Sequence, residues 1–104
     1  TFVGIYQNMN IGAVLKQLRE IKGWSQLEVA AKLKTKQNNI SSHELGYRKV
    51  NEPTLKKYAA VYGVIPVLII WMATDEKDVP KSKLHIYQKL KPLIDALVQE
   101  VLSK

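Results

Sequence analysis

The sequence predicts an all-α fold: five short helices in one domain, followed by a longer helical extension. Three observations predict it. Apolar residues recur at three- and four-residue spacing along most of the chain. Helix-starting residues precede these runs, most clearly Ser25 with Glu28 and the Asn51-Glu52-Pro53 string. Glycines follow them, at Gly23, Gly46 and Gly63, where a left-handed residue ends a helix without strain.

Composition bounds the rest. A chain of 104 residues, 46% of them hydrophobic, suits one domain with one core. The absence of cysteine excludes disulfides and cysteine-based zinc sites. The longest apolar run, Val64 to Ala73, is too short to span a bilayer. A cytoplasmic protein with no membrane partner is therefore expected. The net charge is +7, and it is unevenly placed. Between Asn10 and Val50 eight Lys or Arg face three Glu, a net +5; the remainder to Lys104 carries +2. Such a patch attracts polyanions by releasing their counterions.

Residues 1–9 show no helical period. They read as an N-terminal arm, vector-derived residues or upstream sequence, with Met9 a natural start. The first helix runs from Ile11 to Lys22 behind Asn10 as its cap. Ile11, Val14, Leu15, Leu18 and Ile21 share one face, while Lys16, Gln17, Arg19, Glu20 and Lys22 point away. Trp24 is placed to pack the corner after Gly23; stacking on a nucleic acid is the alternative.

Ser25 caps the second helix, with Glu28 as its capping-box partner. Val29, Ala30 and Leu33 form its inner face, and Ala30 is small where the next helix must cross. Lys34-Thr35 is the turn, and Thr35 is a candidate cap. The third helix, Lys36 to about Glu44, has one strong apolar anchor, Ile40. Its other positions are Gln37, Asn38, Asn39, Ser41, Ser42 and His43. Their amides and hydroxyls are either solvated or shaped for base edges in a major groove. Beyond it, Tyr47, Arg48 and Lys49 form a basic aromatic loop suited to phosphates.

Asn51-Glu52-Pro53 opens a fourth helix with Leu55, Tyr58, Ala59 and Tyr62 inward. Pro66 opens a fifth, almost wholly apolar, of about Val67 to Met72. Residues 75–83, with Pro80, read as a charged linker between a domain over 10–74 and a helical segment over 84–104. In that segment Tyr87, Leu90, Ile94, Leu97 and Val101 repeat at heptad spacing, and Ile86, Leu93, Val98 and Leu102 widen the stripe. The stripe packs either on its own domain or on a second copy. Pro92 predicts a kink or a break there.

The run LREIKGWSQLEVAAKL, then SSHELGYRKV, then NEPTLKKYAAVYGV resembles the five-helix domain of lambda-type repressors and Cro proteins, the XRE-type helix-turn-helix regulators. The resemblance covers Ile11 to about Ala73. It implies a reading helix whose opening residues, Lys36, Gln37 and Asn38, reach bases with Ser42 one turn on. It implies phosphate contacts from Gln26, at the start of the second helix, and from Tyr47, Arg48 and Lys49; Lys34 and Asn39 join that set. Lys34 stands where the family usually has Gly; a left-handed lysine there would cost about 1 kcal/mol against glycine, and its charge would help at a phosphate. His43 stands where Trp or Leu is usual, and is expected to be buried, neutral and hydrogen-bonded, a pH switch being the alternative. Leu45 replaces the usual Asn before the glycine.

No catalytic or metal-binding spacing is present. His43 and His85 lie 42 residues apart, and no GxSxG or phosphate-binding glycine loop occurs. The reading is a non-enzymatic regulator without cofactor or metal. It is expected to bind double-stranded DNA as a homodimeric repressor on an inverted repeat. The alternative is an antitoxin that binds DNA and masks a toxin; contact with transcription machinery is a further possible use of the extension.

Overall fold

The computed structural model describes residues 10–102, the last two by backbone only. The expected N-terminal arm, residues 1–9, and the side chain of Val101 lie outside the described residues. Among the described residues six α-helices follow in order: α1 Ile11–Lys22, α2 Gln26–Leu33, α3 Gln37–Leu45, α4 Glu52–Tyr62, α5 Pro66–Ala73 and α6 Leu84–Leu102. Two compact units divide between Ala73 and Thr74.

In the first unit the starts and stops are set locally. Asn10 Oδ1 accepts from the Ala13 N–H at 3.1 Å, and Asn51 Oδ1 from the Thr54 N–H at 2.9 Å. Ser25 and Glu28 close the capping box with two 3.1 Å bonds, each side chain taking the other's backbone N–H. Gly23, Gly46 and Gly63 all adopt left-handed φ at the helix ends. Lys34 does so too, at φ 57° and ψ 46°, which costs about 1 kcal/mol against glycine.

The start of α3 departs from expectation. Lys36 is its cap in extended conformation, and no side chain caps it. Thr35 does not cap; its hydroxyl accepts instead from the Asn39 amide at 2.8 Å. The fifth helix opens on Pro66 as expected, where a missing N–H is harmless, and ends at Ala73.

The helices close around Leu15, Leu18, Val29, Ile40, Leu55, Tyr58, Tyr62 and Ile69, all essentially inaccessible. α1 packs on α3 and α5, α2 on α3 and α4, and α4 on α5. Ile21, expected inward, is 46% exposed because α1 has reached its last turn there. Trp24 serves the core: its ring stacks on Tyr62 with centroids 6.0 Å apart, and Tyr62 stacks on Tyr58 at 6.2 Å. Lys32 Nζ lies 4.4 Å over the same indole.

The second unit starts with structure where a plain linker was expected. Two short 3-10 turns, Glu76–Asp78 and Lys81–Lys83, flank Pro80. Asp75 and Asp78 form a capping box around the first, because short acidic side chains compete well for nearby backbone N–H groups. Helix α6 runs through Pro92 unbroken. One missing N–H and one ring clash, about 3 kcal/mol, are outweighed by the turns on either side.

The broad apolar stripe of α6 resolves into two. Tyr87 and Val98 are buried and Ile94 is half-buried. Ile86, Leu90, Leu93 and Leu97 are exposed, Leu93 by 69%. The predicted seam therefore mixes both faces: Leu90 and Leu97 are open, while Tyr87 is already covered within the single chain. Among the described residues no single helix is long and apolar enough to cross a membrane.

Candidate nucleic-acid interface

Helix α3 has only three buried residues, Ile40, His43 and Glu44. Each turns one side of the helix inward by a different chemistry, and together they set which side is left for solvent.

Ile40 is fully buried and supplies the apolar anchor. Glu44 is held by ions and amides. Its carboxylate accepts from Arg19 Nε at 2.7 Å and Arg19 Nη2 at 3.0 Å, a bidentate pair, and from Gln26 Nε2 at 3.0 Å. Arg19 Nη1 also donates to the Trp24 carbonyl at 3.0 Å. The Glu44 side chain is 2% exposed and that of Arg19 14%. Arg19 was expected to point away from the core. It turns under instead, because a carboxylate buried on α3 needs a counter-charge and α1 is the neighbour that carries one. The pair holds the Arg19 guanidinium above its ordinary pKa, chiefly through the hydrogen bond to Glu44. Three helices are tied at this point: α1 by Arg19, α2 by Gln26 and α3 by Glu44.

His43 fixes the other flank. Its Nδ1 shares a 2.8 Å hydrogen bond with the Tyr58 hydroxyl of α4, and the rings meet edge to face. Burial, and after it the charge of Arg48, pushes the imidazole pKa below 6.5. Burial also raises the Tyr58 pKa, so its hydroxyl keeps its proton and can donate to Nδ1. The expected buried, hydrogen-bonded histidine is in place, and the lowered pKa favours its neutral form. It predicts a pH dependence. Below 6.5 the unfolded chain takes up a proton that folded His43 refuses. Stability from this site is therefore complete above that pH and declines as pH falls through the window down to the lowered native value. Urea midpoints measured from pH 7.5 to 5 should fall for the native chain and fall less for His43→Gln. Parallel curves would contradict it.

Asn38 is exposed and Ser42 half-exposed on the side away from these three, Ser41 is half-exposed between them, and Gln37 is exposed at the first turn, above Ile40 and Glu44. Lys36 is exposed at the cap, immediately before the helix. So the four residues expected to read bases share the outer side and leading end of one short helix. The six residues expected at phosphates are less uniform. Lys34, Tyr47, Arg48 and Lys49 are exposed, Tyr47 by 83%. Gln26 sits at the first position of α2 with one amide hydrogen engaged by Glu44. Asn39 is half-buried and bonded at both ends, to Thr35 and Arg48. A cleft of about 350 Å³ lies along this flank. His43 and Tyr58 line it, with Asn39, Arg48, Lys49, Asn51, Thr54 and Lys57 around them. Lys57 was missed as a member of this basic group, because it lies on a later helix and only the packing of α4 brings it here.

Two helices joined by a tight left-handed turn, the second held by its underside and polar outside, define a helix-turn-helix DNA-binding domain of the lambda repressor and Cro type. Comparison with known proteins agrees: the helix-turn-helix family model matches residues 15–68, and the chain belongs to that family. The HTH-type transcriptional regulator ImmR of Bacillus subtilis (strain 168) is 39% identical over 56 residues, which are 54% of this chain and 44% of that protein. The chain thus spans less than half the length of this relative. No solved structure matches it.

Proposed function

We propose that this chain is a cytoplasmic transcriptional repressor that binds an inverted repeat of double-stranded DNA as a homodimer. The observation that carries the reading is the outward side of α3. Gln37 and Asn38 are exposed on a helix whose orientation is fixed by Ile40, Glu44 and His43. Gln or Asn can pair through two hydrogen bonds with the N6 and N7 edge of adenine. Lys34 and Lys49 flank that helix with positive charge, which supports phosphate contacts on either side of the groove. In this reading the apolar side chains left open on α6, Ile86, Leu90, Leu93 and Leu97, belong to the interface between copies. Two half-sites about 10 base pairs apart would then be read together.

Selection of bound fragments from a random duplex pool tests the whole reading. A two-fold repeat is expected, with light scattering giving the mass of two chains. Gln37→Ala should weaken the selected site by about 1–3 kcal/mol and relax preference at one base pair. Equal affinity for every duplex would reject the assignment of α3, and a monomer mass would reject the dimer.

A further inference from the structure

The Asn39 side chain bridges the two ends of the reading helix. Its Nδ2 donates to Thr35 Oγ1 at 2.8 Å, in the turn before α3. Its Oδ1 accepts from Arg48 Nη1 at 2.8 Å, in the loop after it. The amide orientation is dictated by its partners. A guanidinium has no acceptor, so Oδ1 must face Arg48, and Nδ2 is left for the threonine hydroxyl. One amide hydrogen and one oxygen lone pair of Asn39 are thereby used inside the protein.

Arg48 shares its cleft with Lys49 and Lys57. Neutralising a phosphate needs only a positive charge at the end of a flexible stem, which either lysine supplies. Tethering an arginine restricts a side chain rich in rotamers. The gain from such a restraint is geometric: a guanidinium held in one plane forms two parallel hydrogen bonds where an ammonium forms point contacts. With Nη1 bound to Asn39, the adjacent Nε and Nη2 donors remain. Their spacing matches O6 and N7 of guanine.

Resting on the DNA-binding reading above, we propose that Arg48 is a specificity-determining residue that reads a guanine edge beside the bases faced by α3. Asn39, backed by Thr35, is its positioning residue.

The test uses the full chain and the site selected from the random pool. Arg48→Lys keeps the charge and removes the fork. It should reduce the preference for one guanine-bearing base pair roughly 10- to 100-fold, with an unchanged dependence of affinity on salt. Asn39→Ala should lose preference at that same base pair, and Asn39→Ala/Arg48→Lys should be no worse than Arg48→Lys. If Arg48→Lys retains the full preference, Arg48 serves as a bare charge and the proposal fails. It fails equally if the two substitutions act additively or at different base pairs. A native chain that prefers no duplex at all would instead remove the DNA-reading function, and would show it before any substitution is made.

Discussion

Gly12→Ala is expected to destabilise the helix-turn-helix unit by about 2–3 kcal/mol and to lower its melting temperature by roughly 10–20 °C. Gly12 is buried on α1 where that helix meets the end of α3. A methyl group added there would press on the His43 carbonyl oxygen and stand 2.6 Å from that of Glu44. Both oxygens are backbone, so neither can rotate aside. Either α1 or α3 must shift. The usual gain of about 1 kcal/mol for alanine over glycine inside a helix offsets only part of this. The displaced element is the reading helix itself, so DNA affinity should fall even at temperatures where the variant is folded. Thermal melting followed by circular dichroism gives the first number and gel shift at low temperature the second. An alanine variant that melts with the native chain would mean that α1 and α3 do not approach this closely.

The second large effect is expected at the Arg19–Glu44 pair. Arg19→Met should cost about 3–5 kcal/mol, because Glu44 would stay buried with only the Gln26 amide as partner. Arg19→Met combined with Glu44→Leu should recover most of the loss. Removing both charges removes the desolvation cost that made the pair necessary. Urea unfolding of the two variants separates a buried charge left alone from a contact merely lost. If the double variant is as unstable as Arg19→Met, the pair contributes through its fit with neighbouring side chains and not through charge. The same network ties α3 to its neighbours: Arg19 of α1 and Gln26 of α2 both donate to the Glu44 carboxylate. A change at Arg19, remote from any base, should therefore also reduce DNA affinity.

The contrast between Gly12 and Gly23 shows what a reader of the sequence can and cannot see. Gly23 follows a helical pattern and precedes a new cap, so its left-handed conformation is a local matter, and it was legible. Gly12 sits inside a good helix with no local reason to be glycine. Its reason is a pair of carbonyls on another helix. Arg19 and Glu44 differ in the same way from Ser25 and Glu28. The capping box joins residues three apart, which the chain brings together unaided, whereas the ion pair joins residues 25 apart. Asn39 reads in the sequence as a phosphate contact, and nothing local to it announces its bond to Arg48, nine residues on. The stripe on α6 was legible as apolar, but which half of it is covered was not, since periodicity places residues on faces without saying what meets them.

By itself, then, the order of residues determined the helices, the caps at Asn10, Ser25 and Asn51, the place of the turn at Lys34-Thr35 and the polar character of α3. All of these follow from φ preferences and hydrogen bonds within a few residues. Tertiary structure decided how α3 is gripped, which amides and cations remain on its surface, and which side chains of α6 stay open. Those depend on distances between residues far apart in the chain, and only the packed helices set such distances.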